Sequence, residues 1–155
     1  MATLHLMVGL PCSGKTTLAK QLELERDALR LTTDEWHIPL FGQDAEDPLH
    51  DERHAQIEAM LWGTARRALE LGLDVILDFG FWAREEREDY RARAKRLGAR
   101  SDVHFLDASK DELVQRLAKR NSQPSQSAFH ITEEQMTPWI ASFQRPTPDE
   151  LDPRD

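Results

Sequence analysis

Short apolar runs alternate with longer stretches of helical periodicity along this chain. The first run, Leu4-His5-Leu6-Met7-Val8, has the length and burial character of a strand starting at about Thr3. Leu18, Ala19, Leu22 and Leu24 then predict one apolar face of a helix reaching about Arg26. A second strand is predicted over about Leu29 to Leu31, and Thr32 with Glu35 reads as a capping box opening a helical turn. Phe41 to Pro48 reads as a loop.

A long helix follows, from about Asp51 to Leu71, with Ile57, Met60, Leu61, Ala65, Ala68 and Leu69 as its packed face and Gly72 at its end. Leu73 to Asp78 predicts a third strand, and Phe79 to Trp82 a loop. Arg84 to Leu97 reads as a charged helix closed by Gly98, and Ser101 to Leu106 as a fourth strand. A helix from about Lys110 to Arg120 turns Leu113, Val114 and Leu117 inward. The polar stretch from Asn121 to His130 predicts a mobile loop, and Thr132 with Gln135 caps a last helix ending near Phe143. Strands alternating with helices imply an α/β fold: about four parallel strands with helices on both faces and a small helical lid. One domain over 1–145 and a frayed acidic tail over 146–155 complete the expectation.

Between the first strand and its helix lies Gly9-Leu10-Pro11-Cys12-Ser13-Gly14-Lys15-Thr16-Thr17, the G-x-x-x-x-G-K-T phosphate-binding loop. Gly9 and Gly14 permit a tight backbone turn, and the loop and helix N–H groups suit an anion. Lys15 is placed to reach the β- and γ-phosphates, and the Thr16 hydroxyl to take a position on Mg²⁺. Strand–loop–helix is the context this motif requires, so a nucleoside triphosphate, ATP or GTP, is the expected ligand.

In open parallel sheets the ligand crevice lies beyond the carboxyl ends of the strands. Gly9, Asp34 and Asp78 all follow strand ends and should converge there. Asp78 closes an apolar strand and suits Mg²⁺ beside Thr16. Asp34 suits a general base beside the γ-phosphate, against the plainer alternative of an acid at a helix N-terminus. Arg116 and Arg120, four apart on one helix, suit a lid that closes over phosphates; either one can be that arginine. Arg84 and Arg87 read more simply as surface ion pairs. His37, His50 and His54 fall in one region without a metal-binding spacing.

Composition narrows the partners. The 155 residues suffice for one domain. A net charge of −8 argues against nucleic acid as the partner. No apolar run reaches the ~20 residues of a membrane span. The first strand begins too early for a signal peptide, and one cysteine, Cys12, fits a reducing cytosol, so a cytoplasmic location is expected. Between Asp34 and His54 there are seven acids and one arginine; a solvated face is the plain reading, selection of a cationic acceptor the sharper one.

The loop residues 9–16, Thr33-Asp34-Glu35-Trp36, Val75-Ile76-Leu77-Asp78, and Leu113 to Leu117 running on to Lys119-Arg120-Asn121 together resemble the small P-loop ATP-binding kinases. Along most of its length the chain is similar to the kinase domain of phage polynucleotide 5′-kinases. More distantly it resembles chloramphenicol phosphotransferase, the zeta-toxin kinases and gluconate kinase. The resemblance implies Asp34 as general base, Lys15 and Thr16 for the phosphates and Mg²⁺, Asp78 in the active site, and Arg116 or Arg120 as lid arginine. One position departs: where the polynucleotide kinases carry an arginine three residues after the base, this chain has His37. The resemblance and the charge together imply an ATP-dependent kinase of a small-molecule hydroxyl. A polynucleotide 5′-hydroxyl kinase and an ATPase or nucleotide switch are the alternatives. Phe79 after Asp78, where a switch would place a water-orienting Gln or Glu, counts against the last.

Overall fold

Alternating side chains decide which way each strand faces. In the computed structural model, which describes residues 1–123 and 129–155, β1 (Thr3–Val8), β2 (Leu29–Thr32), β3 (Val75–Gly80) and β4 (Arg100–Phe105) pair in parallel in the order β2-β3-β1-β4. The helices between and after them are α1 (Lys15–Arg26), α2 (Thr33–Phe41), α3 (His50–Glu70), α4 (Arg84–Arg96), α5 (Lys110–Asn121) and α6 (Glu133–Ser142). The part of the polar loop expected over 121–130 that spans 124–128 lies outside the described residues.

Two-residue periodicity splits the core. Leu4, Leu6 and Val8 of β1 and Val75 and Leu77 of β3 face α3 and α4, where Ile57, Leu61, Ala65, Tyr90 and Ala94 meet them. Met7 and Ile76 face the opposite way, onto Ala19 and Leu22 of α1. A third cluster binds Leu113 and Leu117 of α5 and Met136 of α6 to Leu10, Ile38, Phe129 and Ile131. This cluster is the expected small helical lid, seated beside the phosphate loop. No helix among the described residues is long and apolar enough to cross a membrane.

Several local expectations are corrected. Leu24 and Met60 are 81% and 74% exposed. Each stands one or two residues from a buried leucine, and such neighbours on a helix point in different directions. Val114 is only half-buried. Phe79 and Gly80 belong to β3 rather than to a loop, because Gly80 still pairs with Val8. The capping box at Thr132 and Gln135 forms, whereas the one at Thr32 and Glu35 does not. Thr32 Oγ1 instead accepts from Arg30 Nη1 at 2.6 Å and donates to Asp78 Oδ2 at 2.9 Å, while Glu35 pairs with Arg30 at 2.9 Å.

The segment expected to fray, 146–155, is docked. Thr147 caps a 3₁₀ turn (Pro148–Leu151) that buries Glu150 at 1% exposure. Glu150 Oε1 accepts from Arg87 Nε at 2.8 Å, and Arg87, fully buried, also donates to the carbonyl of Phe81 at 2.8 Å. Arg87 is therefore no surface ion pair. Glu150→Ala leaves its guanidinium as an uncompensated buried charge, and urea denaturation should show a loss of about 3–5 kcal/mol. A loss under about 1 kcal/mol, typical of an exposed pair, would contradict this reading.

Candidate active site

The loop between β1 and α1 takes a shape that its glycines require. Gly14 sits at φ 101°, and Gly9 lies so close to the loop that a Cβ there would stand 2.5 Å from Ser13 Oγ. Gly9 N–H donates to the carbonyl of Gly80 at 3.0 Å, which anchors the loop to the end of β3. Cys12, at φ 67°, completes the turn in the left-handed region. Ser13 Oγ is buried without a hydrogen-bond partner among the described residues, as expected of a cradle built for an anion.

Three strand ends meet around this loop. Thr16 Oγ1 donates to Asp78 Oδ2 at 2.7 Å, and Thr32 Oγ1 donates to the same oxygen at 2.9 Å. The Thr16 hydroxyl and the Asp78 carboxylate are hard oxygen donors side by side, a set that fits Mg²⁺. Lys15 Nζ donates to the carbonyl of Leu10 at 3.1 Å. Burial pushes the Lys15 pKa down, against the opposing pull of Asp78 and Asp34. Asp34, in the first turn of α2, is pushed the other way: burial raises its pKa and Asp78 adds to this, while Lys15, Arg120 and His37 counteract.

Both candidate lid arginines reach the loop from α5. Arg116 Nη1 donates to the carbonyls of Ser13 at 3.0 Å and Cys12 at 3.3 Å. Arg120 Nη1 lies 3.3 Å from Cys12 Sγ, and its Nη2 donates to the carbonyl of Phe129 at 2.7 Å. The charge of Arg120 acts on both Lys15 and Asp34.

All these groups border one open cavity of about 1560 Å³. Pro11 to Thr17, Asp34 and Asp78 border it together with Arg116 and Arg120; Gly9 and Leu10 lie behind, Leu10 in the apolar cluster under the lid. The structure thus brings the sequence-predicted site residues together and keeps Arg84 and Arg87 out of the cavity wall.

The cavity is also lined by His50 and His54, which the sequence showed only as lacking a metal-binding spacing, and by Glu58 and Glu86, which the sequence pattern did not single out. Trp82 and Trp139 line it too, their ring centroids 5.8 Å apart. His37 Nδ1 and His54 Nδ1 are 3.2 Å apart, and the His37 and His50 rings are 4.6 Å apart, both packed edge-on against Phe129. Burial and its histidine neighbour push His54 down to about 4. Burial first, then Glu86 and Asp34, push Glu58 up to about 8. The four-residue spacing of His54 and Glu58 was the available signal, because it places them on one helical face, 3.5 Å apart. Phe81 follows β3 at φ 41° and is buried, strain held by the Arg87 contact to its carbonyl.

Comparison with known proteins places this geometry. The family model of an AAA domain, AAA_33, matches residues 4–146. None of the curated proteins matches the sequence significantly. A chain of the Pnkp1/Rnl/Hen1 RNA repair complex is 24% identical with a TM-score of 0.74, covering 91% of this chain and 43% of that one. This chain therefore spans less than half the length of that protein. An unliganded sugar kinase from Janibacter sp. is 20% identical with a TM-score of 0.68, covering 97% and 82%. Kti12 of Chaetomium thermophilum, in complex with ADP-AlF3, is 19% identical with a TM-score of 0.70, covering 94% and 82%. At these identities the likeness is one of fold.

Lys15→Ala should abolish nucleotide turnover and leave the circular dichroism spectrum and unfolding midpoint near wild type. Wild-type turnover in this variant would refute the role of the loop. Glu58 gives a signed test against pH. With its pKa at about 8 in the folded chain and 4.5 as the reference value, the native state holds a proton that the unfolded chain releases between those values. Its contribution to stability therefore falls as pH rises through this window. Urea denaturation of Glu58→Gln should show the variant gaining on wild type from about pH 5 to about pH 8.5; a constant difference would contradict the shift.

Proposed function

Because the chain belongs to the AAA domain family AAA_33, we propose that it is an ATP-dependent kinase that moves the γ-phosphate of ATP to a hydroxyl of a small molecule. One observation carries the reading. Asp34 lines the same cavity as the phosphate loop, electrostatically coupled to Lys15 and Asp78, with its pKa raised by burial above the ordinary aspartate value. A carboxylate tuned that way, beside the place for a γ-phosphate, suits the removal of a proton from an attacking hydroxyl.

The residues divide the work. The loop N–H groups from Cys12 to Thr17 cradle the phosphates, and Lys15 leaves the Leu10 carbonyl to engage their oxygens. Thr16 and Asp78 would hold Mg²⁺, which supplies charge neutralisation across the β- and γ-phosphates. Asp34 orients the acceptor and takes its proton as the acceptor oxygen forms a bond to γ-phosphorus. The bond from γ-phosphorus to the bridging oxygen breaks, and ADP departs with that electron pair. Arg120, whose charge is felt at both Lys15 and Asp34, stabilises the transferring group, while Arg116 braces the loop carbonyls. Transfer of this kind is chiefly positioning and electrostatics, which a domain of this size can supply.

A nucleic-acid acceptor is the second reading, favoured by the fold it shares with a chain of the RNA repair complex. Against it stand Glu46 and Asp51 on the cavity wall. Such carboxylates repel an acceptor phosphate and suit a neutral or cationic alcohol.

The test is γ-labelled ATP with a fractionated pool of polyols, amino sugars and 5′-hydroxyl oligonucleotides, with Asp34→Asn run in parallel. The variant should keep ATP affinity and lose transfer by roughly 10²–10⁴. Label in a small molecule, from wild type alone, is the expected result. Label in the oligonucleotides would move the acceptor to nucleic acid. Free phosphate released equally by both proteins would replace the kinase by an ATPase.

A further inference from the structure

Outside the nucleotide cavity, the α1 face of the sheet carries a second cluster of chemistry-bearing side chains. In the parallel register His5 of β1 stands opposite Asp102 of β4, and Met7 stands opposite His104. His5, Asp102 and His104 therefore project from the same face, the one that α1 covers over Met7 and Ile76. At the edge strand this cover ends, so Asp102 and His104 are half-buried while His5 is 1% exposed.

His5 Nδ1 and His104 Nε2 lie 2.9 Å apart, and Asp102 Oδ2 is 4.0 Å from the same His5 nitrogen. The three ligand atoms all fall within 4.8 Å of one another, the only such group among the described residues. We propose that His5, Asp102 and His104 form a binding site for a first-row divalent cation such as Zn²⁺, pinning the edge strand β4 to the central strand β1.

The geometry suits the ion. Two imidazole nitrogens at ~2.0–2.1 Å from one Zn²⁺ lie about 2.9 Å apart when they subtend a right angle and somewhat more in a tetrahedron. Asp102 Oδ2, 4.0 Å from His5 Nδ1 and within 4.8 Å of the His104 ligand nitrogen, needs to swing inward to share the ion, and its partial exposure leaves it free to do so. A hydrogen bond between the imidazoles accounts for their contact but gives the adjacent carboxylate no part. Imidazole and carboxylate together suit zinc and its neighbours rather than Mg²⁺. Burial also pushes both histidine pKa values down, which keeps the nitrogen lone pairs available near neutral pH. His5 Nε2 is buried without a partner among the described residues, so no hydrogen bond from that nitrogen sharpens the site, and moderate affinity is expected.

The probe is Zn²⁺ itself, added to the metal-free full chain and followed by calorimetry against a chromogenic chelator. Titrations run with excess Mg²⁺, so that Thr16 and Asp78 do not compete. Wild type should take up one Zn²⁺ per chain and unfold at a higher temperature when loaded. Asp102→Asn and His104→Gln, at partly exposed positions, should fold, keep their nucleotide turnover, and lose affinity by about 10-fold or more. His54→Gln should bind as wild type does. No uptake by wild type would overturn the proposal. So would unchanged affinity in both Asp102→Asn and His104→Gln, or loss in His54→Gln alone, which would move the ion to the histidines of the cavity wall.

Discussion

One carboxylate oxygen ties the molecule together. Asp78 Oδ2 accepts from Thr16 on the phosphate loop and from Thr32 at the end of β2, while Asp78 itself ends the apolar part of β3. Three segments distant in sequence are thereby fixed to a common point at the carboxyl ends of the strands. The buried acid, 5% exposed, has both hydroxyl donors on one oxygen, so its burial is matched by hydrogen bonds. The positions of Lys15 and Asp34 follow, since one succeeds the loop and the other sits two residues after Thr32.

The cavity is electrically divided. Lys15, Arg116 and Arg120 gather at the phosphate loop, whereas Glu46, Asp51, Glu58 and Glu86 line the cavity away from those contacts, with His50 and His54 among the same lining residues. Asp34 is acted on by Lys15 and Arg120 and in turn helps to raise Glu58. A chain of net charge −8 can thus hold a polyanion at one end of its cavity. It does so by concentrating helix N-terminal amides, Lys15 and two guanidinium groups there, with Asp34 and Asp78 the acids beside them.

Much of this was legible in the sequence because the signals are local. The glycine spacing of the phosphate loop, the apolar strands and the Thr132 cap each lie within a few residues, and each forms where expected. The larger failures arise from long-range recruitment. The Thr32 hydroxyl serves Asp78, 46 residues away, and so cannot cap its helix. Arg87 finds Glu150 at a separation of 63 residues, so a polar helix residue became a buried ion pair and an apparent loose tail became packed structure. Glu58 of α3 and Glu86 of α4 likewise come together from distant segments, and the His54–Glu58 spacing alone hinted at the first of them.

The docked segment touches one more feature of the sheet. Ser101 and Arg154 exchange two backbone hydrogen bonds, Ser101 N–H to the Arg154 carbonyl at 2.7 Å and Arg154 N–H to the Ser101 carbonyl at 2.9 Å. Those bonds occupy the outer rim of β4 near its start, where an edge strand otherwise presents unpaired amides and carbonyls to solvent. Trimming a stretch that looks dispensable would therefore do more than strand a buried guanidinium. It would offer neighbouring molecules a template for strand addition, and the first symptom would be self-association at high concentration.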